Sequence, residues 1–161
     1  MIVDILISFV VHLVGETGCG KTTQVPQYLL EYHLGQKTGD SDAVRIVCTQ
    51  PRRVAAISVA ERVAQEKGER VGGEVGYMVR HDSRPPTAGN SILYCTTGVL
   101  VQRLQSDPDL SSFTHVIIDE IHERDVLADI LLVIMKTILT KRTDLKLVLM
   151  SATLYAQKFS R

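Results

Sequence analysis

The chain has 161 residues, 45% of them hydrophobic, with 18 lysines and arginines balanced by 18 aspartates and glutamates. This length and apolar fraction suit one globular domain with its own core, and they exclude a wholly disordered chain. The zero net charge excludes a partner held by bulk electrostatics alone, although a local basic patch remains compatible with it. An aromatic content of 5% without Trp argues against stacking platforms for single-stranded nucleic acid.

Short apolar, β-branched segments alternate with longer helical patterns along the chain. Their near-continuous hydrophobicity is typical of strands buried on both faces of a sheet. The predicted strands are Phe9–Val14, Val44–Thr49, Ser91–Thr96, His115–Asp119 and Leu145–Met150. The predicted helices are Lys21–Leu34, Val54–Lys67, Gly98–Gln105 and Val126–Thr140. This βαβ alternation predicts an α/β fold with a mainly parallel sheet and helices on both faces.

Glycines and polar segments separate these elements. Gly35 and Gly68 stand where the first two helices are expected to end. Val75–Arg80 interrupts the alternation and is either an extra strand or an extended loop. The predicted polar loops are Gly35–Asp42, His81–Asn90 and Ser106–Ser112. The segment Val126–Met135 is apolar on most faces, which predicts a core helix.

The N-terminal segment Met1–Val14 is apolar, but it is shorter than a membrane-spanning helix and is interrupted by Asp4 and His12. It also lacks the basic start and small-residue cleavage site of a signal peptide. A buried strand at its end is the better interpretation, and we expect no membrane partner. The three cysteines are widely spaced and form no zinc motif, so a reducing intracellular compartment, nucleus or cytoplasm, is expected.

A glycine-rich segment directly after the first strand satisfies the G-x-x-x-x-G-K-[ST] pattern of a phosphate-binding loop. Glycines let the backbone wrap a phosphate, and the following helix directs its positive N-terminus at the same oxygens. Lys21 is then expected to reach the β- and γ-phosphates and Thr22 to ligate Mg²⁺. The predicted nucleotide-binding residues are Gly15, Glu16, Thr17, Gly18, Cys19, Gly20, Lys21, Thr22 and Thr23. The alternative is a glycine-rich turn without a ligand, in which Cys19 merely fits.

The predicted strand at His115 ends in two acidic residues, Asp119 and Glu120. In phosphate-loop enzymes the aspartate holds Mg²⁺, and an adjacent glutamate can deprotonate the attacking water. This pair favours hydrolysis over phosphoryl transfer to an alcohol. Taken alone, such a pair is also what the N-terminus of a helix favours.

Five motifs in this order resemble the first RecA-like lobe of DEAH-box RNA helicases, and the resemblance runs from about Val14 to Phe159. The motifs are GETGCGKTT at Gly15–Thr23, TQPRR at Thr49–Arg53, TTGVL at Thr96–Leu100, DEIH at Asp119–His122 and SAT at Ser151–Thr153. The isoleucine of DEIH points to the subgroup that includes RNA helicase A and the G-quadruplex-resolving DEAH helicase. The resemblance implies that residues 1–161 form a single ATP-binding lobe of RecA-like fold.

The resemblance also implies site residues, cofactors and partners. ATP or another nucleoside triphosphate binds with Mg²⁺, the metal lies near Thr22, Asp119 and Glu120, and Lys21, Asp119, Glu120 and His122 form the catalytic set. Arg62 lies against the adenine. Arg52, Arg53, Thr96 and Thr97 lie near the backbone of the nucleic-acid partner, which is RNA or a single-stranded or quadruplex nucleic acid. Forked arginine donors suit its phosphates. Ser151 and Thr153 couple hydrolysis to strand movement. The expected partners include a second RecA-like lobe and C-terminal helicase domains, without which hydrolysis is slow.

Simpler interpretations of these residues remain open on the sequence alone. Arg52 and Arg53 could be a solvated loop pair, Thr96 and Thr97 a helix cap, and Ser151 and Thr153 ordinary hydroxyls at a strand end. At the level of the whole chain, the alternatives are a one-lobe nucleotide- or partner-binding module and a phosphate-loop ATPase for transport or remodelling. In every case the ligands should gather at the carboxyl edge of the sheet, with Asp119 within about 10 Å of the phosphate loop.

Overall fold

The computed structural model describes residues 10–35 and 43–152. Its strands are β1 (Val10–Val14), β2 (Arg45–Gln50), β3 (Val75–Val79), β4 (Asp82–Arg84), β5 (Ser91–Thr96), β6 (His115–Ile118) and β7 (Lys146–Ser151). Its α-helices are α1 (Lys21–Gly35), α2 (Arg53–Glu66), α3 (Thr97–Arg103) and α4 (Val126–Lys141), with a 3₁₀ turn at Ile121–Glu123. All five predicted strands and all four predicted helices are present. Met1–Ile7, Phe9, residues 36–42 and Thr153 lie outside the described residues.

The seven strands form one sheet in the order β1-β7-β6-β2-β5-β3-β4. Every neighbouring pair is parallel except β3 and β4. The carboxyl ends of the parallel strands therefore meet at one edge, where open α/β sheets bind ligands. The predicted α/β class with a mainly parallel sheet is confirmed.

Helices cover both faces of this sheet, and successive residues of a central strand enter different cores. In β2, Ile46 and Cys48 pack in the cluster that contains residues of α1 and α2. Val47, between them, packs in the cluster that contains residues of α3 and α4. Because both faces are covered, the central strands lack the apolar–polar alternation of half-exposed strands.

Strand β1 differs from this expectation because it lies at the edge of the sheet, paired only with β7 among the described residues. Leu13 is buried, but Val10 is 48% and Val14 39% exposed. The prediction of a strand was confirmed, and the prediction of burial on both faces was wrong for this strand. Its hydrophobicity is the same as that of a central strand, so the sequence alone could not reveal its edge position.

The segment after residue 74 forms a hairpin that the sequence only partly indicated. Val75–Val79 is a strand rather than a loop, and it pairs in parallel with β5. The chain then turns at His81, which has a left-handed φ of 65°, and returns as the antiparallel strand Asp82–Arg84. The expected loop His81–Asn90 therefore contains a strand. The Tyr77 hydroxyl donates to the Asp82 carboxylate at 3.1 Å, which fastens the turn.

Helix α4 is less buried than its composition predicted. Its inner side buries Leu131 and Met135 against the sheet. On its outer side, Val126 is 70% exposed and Val133 is 69% exposed. The prediction of a core helix therefore holds for one side only, because a helix that packs on one face of a sheet buries a stripe and not its whole circumference.

Two features bear on the membrane and redox expectations. None of the helices in residues 10–35 and 43–152 combines the length and apolar character that crossing a membrane requires. Cys19, Cys48 and Cys95 are free thiols, and the last two are buried in the sheet.

A buried histidine at the start of β6 makes folding sensitive to acid. His115 is 4% exposed, its Nδ1 lies 2.9 Å from the Thr114 hydroxyl, and its ring centre is 5.1 Å from that of His33. Burial, and then the nearby charges of His33 and Lys146, lower the pKa of His115 to about 3. The imidazole is therefore neutral in the folded chain at pH values where the unfolded chain binds a proton.

The free energy of unfolding should consequently be highest above about pH 6.5 and fall as the pH drops toward 3, by up to about 1.4 kcal/mol per pH unit. Between pH 7.5 and 5.0 we expect a loss of about 2 kcal/mol from this group. Urea titrations at the two pH values measure it. His115→Gln should flatten the pH dependence, whereas His81→Gln, on the exposed hairpin turn, should leave it intact. An unchanged pH dependence in His115→Gln would contradict this assignment.

Candidate nucleotide-binding site

The glycine-rich segment forms a strand–loop–helix unit between Val14, the last residue of β1, and Lys21, the first residue of α1. Two of its glycines have left-handed backbones, Gly18 with φ 82° and Gly20 with φ 87°. A Cβ atom is strained in this conformation, which is why glycine occupies both positions. The loop thereby reaches the N-terminus of α1, where unpaired N–H groups favour anions.

The ammonium group of Lys21 lies over the loop that precedes it. Its Nζ donates to the carbonyl oxygens of Gly15 at 2.7 Å and Glu16 at 2.8 Å, and lies 3.5 Å from Cys19 Sγ. These contacts hold one positive charge beside the loop amides. The side chain is therefore poised where the sequence pattern expects triphosphate oxygens.

A buried carboxylate joins this loop to the Asp-Glu motif. Asp119 is 4% exposed, and its Oδ2 accepts from the Thr22 hydroxyl at 2.5 Å and from Gln50 Nε2 at 2.8 Å. Its Oδ1 accepts from the backbone N–H of Glu120 at 2.8 Å. A hydroxyl and a carboxylate in contact are oxygen ligands of the kind Mg²⁺ prefers. The expected proximity of Asp119 to the phosphate loop is met.

Helix α1 is fixed to the sheet behind this contact by Tyr94, whose side chain is fully buried in β5. The Tyr94 hydroxyl donates to the backbone carbonyl of Thr22 at 2.9 Å. Burial raises the pKa of Tyr94 well above its ordinary value, so the group remains a donor. The position of the Thr22 hydroxyl is thus set by the core of the sheet.

The second acid of the motif has a strained backbone and an imidazole partner. Glu120 has φ 54°, in the left-handed region, a conformation that typically costs about 1–3 kcal/mol and is concentrated at functional sites. Burial, and then the Asp119 charge, raise the pKa of Glu120. His122 Nε2 lies 3.2 Å from Glu120 Oε2, and His122 Nδ1 accepts from the Ala152 N–H at 3.2 Å. With Nδ1 as acceptor, the imidazole proton lies on Nε2 and points at Glu120.

The end of β7 connects this pair back to the phosphate loop. Ser151 is fully buried, and its carbonyl oxygen accepts from the Gly15 N–H at 3.2 Å. Its hydroxyl lies 3.0 Å from His12 Nε2 on β1. Movement of the Ser151–Ala152 segment would therefore displace both the loop and the imidazole that contacts Glu120. Thr153, the other predicted coupling residue, lies outside the described residues.

An open cleft of 510 Å³ begins at the loop and extends toward α2. Its lining consists of the loop and the start of α1 (Gly18–Gln24), Glu120, and Arg62 and Glu66 of α2. Arg62 Nε donates to Glu66 Oε1 at 2.7 Å, and the arginine side chain is 67% exposed. Arg62 therefore lies in the same cleft as the phosphate loop.

The residues expected to lie near RNA stand at the same edge of the sheet. Arg52 caps the N-terminus of α2, and its side chain, 75% exposed, pairs with Glu123 at 3.4 Å. Arg53 is exposed, and Thr96 is half-buried at the end of β5. Thr96 occupies the cap position of α3, but its side chain makes no capping hydrogen bond. Thr97 is buried, so its side chain does not reach the surface in this conformation.

Several residues that contact the predicted site residues carried no role in the sequence interpretation. Gln50 holds Asp119, Glu66 holds Arg62, and His12 contacts Ser151. Gln50 offers a signal in retrospect, because an amide is unusual at the end of an otherwise apolar strand. His12 and Glu66 are ordinary polar and charged residues: the partner of His12 is distant in sequence, and Glu66 has distant partners on α1 besides Arg62 four residues away. No group of three or more potential metal-ligating His, Cys, Asp or Glu side chains occurs in residues 10–35 and 43–152.

Comparison with known proteins gives one family over nearly the whole chain. Residues 2–160 match the model of the DEAD/DEAH box helicase family. The chain is 57% identical over 148 residues to "ATP-dependent DNA/RNA helicase DHX36" of Bos taurus, covering 91% of this chain and 14% of that protein. It is 54% identical to "DExH-box ATP-dependent RNA helicase DExH3" of Arabidopsis thaliana and 51% identical to "ATP-dependent RNA helicase DHX30" of Gallus gallus, over 94% of this chain and 12% of each relative. The chain thus spans 12–14% of the length of these curated relatives.

Proposed function

This chain belongs to the DEAD/DEAH box helicase family, and on that premise we propose that it is the ATP-binding lobe of an ATP-dependent RNA helicase. One observation carries the proposal: the 2.5 Å contact of Thr22 with Asp119, which joins the phosphate loop to the Asp-Glu motif. The relatives are named as ATP-dependent helicases, which favours this function over a binding module or a transport ATPase.

The phosphates of the nucleotide bind the loop amides of Gly15–Thr23 and the Lys21 ammonium. Lys21 exchanges its present carbonyl partners for phosphate oxygens, since charge-assisted hydrogen bonds are the stronger ones. Thr22 and Asp119 are the residues that would hold Mg²⁺, which supplies charge neutralisation between phosphate oxygens when bound. Glu120 accepts a proton from the attacking water, a role that its raised pKa favours over that of an ordinary surface carboxylate.

His122 keeps the Glu120 carboxylate in place through its Nε2 proton. Because its other nitrogen accepts from the backbone N–H of Ala152, the position of Glu120 depends on the end of β7. We propose that Ser151, with Thr153 beyond it, transmits strand movement to the hydrolytic acid along this path. Arg62, which lines the same cleft, contacts the base of the nucleotide.

RNA lies along the carboxyl edge of the sheet and contacts Arg52, Arg53 and Thr96 through its phosphates. Such contacts position nucleic acid without reading its sequence. The Arg52 side chain makes an exposed ion pair with Glu123. Such a pair stabilises a protein by little in water, so a phosphate can replace Glu123. Thr97 joins this set only if α3 shifts, because its side chain is buried.

A second RecA-like lobe and C-terminal helicase domains complete the motor. An arginine supplied from a second body typically raises turnover by about 10³–10⁵-fold, so this lobe by itself should bind ATP and hydrolyse it slowly. We also propose a reducing compartment for the protein. The buried free thiols of Cys48 and Cys95 are consistent with that compartment.

The proposal is tested by joining this chain to the second RecA-like lobe of a relative and measuring ATP hydrolysis with and without single-stranded RNA. We expect RNA to stimulate hydrolysis, and Arg52→Ala combined with Arg53→Ala to weaken the stimulation and lower its salt dependence. The matched control is Arg70→Ala, an exposed arginine distant in sequence from these motifs. Hydrolysis that no RNA stimulates would contradict the RNA-helicase function and favour another phosphate-loop ATPase.

A further inference from the structure

The last residue of α2 gathers hydrogen bonds from two helices beside the nucleotide cleft. Glu66 Oε1 accepts from Arg62 Nε at 2.7 Å. Glu66 Oε2 accepts from Gln24 Nε2 at 3.0 Å and from Gln27 Nε2 at 2.8 Å, both on α1. The carboxylate side chain is 26% exposed. One acidic group thus connects α1, the helix that follows the phosphate loop, to Arg62, which lines the same cleft.

This arrangement leaves the arginine oriented but available. The Arg62 side chain is 67% exposed although its Nε is fixed, so the rest of the planar guanidinium faces solvent at the cleft. An arginine that is not tethered loses side-chain entropy when it packs on a ligand. A tether on Nε removes part of that cost in advance, which is preorganisation in the ordinary sense of binding energetics.

We propose that Glu66 is a positioning residue that holds the Arg62 guanidinium as the surface on which the nucleotide base packs. The inference rests on the proposed ATP-binding function. It goes beyond that function because it makes the base-dependent part of the ATP affinity depend on Glu66, acting through Arg62. A guanidinium group stacks on the face of an aromatic base, whichever hydrogen-bonding groups the base carries at its edge. The Arg62 guanidinium held by Glu66 therefore strengthens the binding of any base and does not select adenine.

The glutamine contacts explain why the acid itself has to be charged. Three donors converge on one carboxylate, and the hydrogen bonds from Arg62 and then Gln27 lower the pKa of Glu66. A neutral glutamine at this position would turn an amide N–H₂ toward at least one of these donors. Glu66→Gln therefore weakens the tether on Arg62, because at best a neutral oxygen replaces a charged one, while removing no volume.

The experiment compares two ligands that differ only in the base. Calorimetric titration of the 161-residue chain with Mg-ATP and with the magnesium complex of ribose 5-triphosphate separates base binding from phosphate binding. In Glu66→Gln we expect the affinity for ATP to fall about three- to tenfold, the usual range of one cation–π contact. The affinity for ribose 5-triphosphate should stay within about twofold.

A double-mutant cycle shows whether Glu66 acts through Arg62. Arg62→Ala, which removes the guanidinium itself, should cause at least as large a loss for ATP, and Glu66→Gln added to Arg62→Ala should cause no further loss. Glu66→Asp, which keeps the charge but shortens the reach, should give an intermediate loss and serves if Glu66→Gln is poorly folded. Glu61→Gln, on the same helix and outside the cleft, is the matched charge control.

Three results would overturn the inference. Equal losses for the two ligands would make Glu66 a brace between α1 and α2 with no role toward the base. Unchanged ATP affinity in Glu66→Gln, or additive losses in the double variant, would separate Glu66 from Arg62. If one of these results is found while the unmodified chain still binds ATP in a Lys21-dependent way, only the proposed role of Glu66 is refuted. The proposed function is then unaffected. Absence of ATP binding to the unmodified chain would overturn both.

Discussion

Replacing Lys21 by alanine is expected to weaken the binding of Mg-ATP by at least about 100-fold. Each hydrogen bond to a charged group contributes about 1.5–3 kcal/mol, and Lys21 can make two of them to triphosphate oxygens. In the chain without nucleotide the ammonium is held 2.7–2.8 Å from two loop carbonyls. The cation is therefore already beside the phosphate site before ATP arrives. Calorimetry, and the rise in melting temperature with Mg-ATP, measure the effect.

The loss in Lys21→Ala has to be separated from damage to the loop. Lys136→Ala removes the same charge from the exposed side of α4 and should bind ATP as tightly as the unmodified chain. Circular dichroism and the melting temperature without nucleotide report whether the two variants are equally folded. If Mg-ATP fails to stabilise the unmodified chain and Lys21→Ala behaves identically, nucleotide binding at this loop is refuted.

The order and type of the elements could be predicted because local and global signals agree in this fold. The βαβ alternation, the glycine-rich loop and the apolar runs each fix an element within a short stretch of sequence. Residue burial could not be predicted in the same way. Leu13 and Val14 are adjacent apolar residues of β1, yet one is buried and the other exposed, because β1 lies at the edge of the sheet.

The hairpin at β3 and β4 shows a second limit. Its turn uses a left-handed histidine, His81, where a glycine or asparagine would have indicated the turn. The expected loop therefore concealed a strand. The contact of Tyr77 with Asp82 that stabilises this turn joins a tyrosine within β3 to an aspartate just after the turn, and Asp is common in turns but does not by itself indicate a hairpin.

The site could be predicted to the extent that its residues belong to contiguous motifs. Lys21 and Thr22 follow from the loop pattern, and the approach of Asp119 follows from the rule that parallel strands end at one edge. The partners that orient these groups could not be predicted. Gln50 and His12 act on residues 69 and 139 positions away, on or just beyond the neighbouring strand, and no local pattern records such pairing. The Arg62–Glu66 pair has the i,i+4 spacing of a helical ion pair, but the contacts of Glu66 with Gln24 and Gln27 on α1 have no such signal.

The connection between Glu120 and the end of β7 offers a physical path for the proposed coupling between hydrolysis and strand movement. His122 reaches Glu120 with one nitrogen and the Ala152 N–H with the other. Ser151, one residue earlier, holds the Gly15 N–H at the entrance of the phosphate loop. A displacement of one short segment would thus move both the phosphate loop and Glu120, the proposed general base. Energetic coupling between two sites requires a shared element of this kind.

Glu120→Gln is expected to lower ATP hydrolysis by about 10²–10⁴-fold, the usual contribution of a general base, in this chain joined to the second lobe of a relative. ATP affinity should change by less than about threefold, because in the proposed complex the loop amides and Lys21 hold the phosphates, whereas Glu120 is one lining residue of the cleft. Single-turnover hydrolysis and equilibrium titration measure the two quantities separately. In the unmodified protein, hydrolysis should decline as the pH falls through the raised pKa of Glu120, since only the ionised carboxylate accepts a proton.

Glu123→Gln distinguishes this role from a general loss of negative charge. Glu123 is an acid of the 3₁₀ turn that Glu120 precedes, but its partner is Arg52, one of the residues proposed to contact RNA. Its removal should leave hydrolysis without RNA unchanged. The left-handed backbone at Glu120 makes glutamine the better replacement, because glutamine keeps the strained conformation, whereas glycine would relieve the strain as well as remove the acid. If Glu120→Gln hydrolyses ATP at the unmodified rate, the acid is not the base, and its strain and its contact with His122 serve only the shape of the turn.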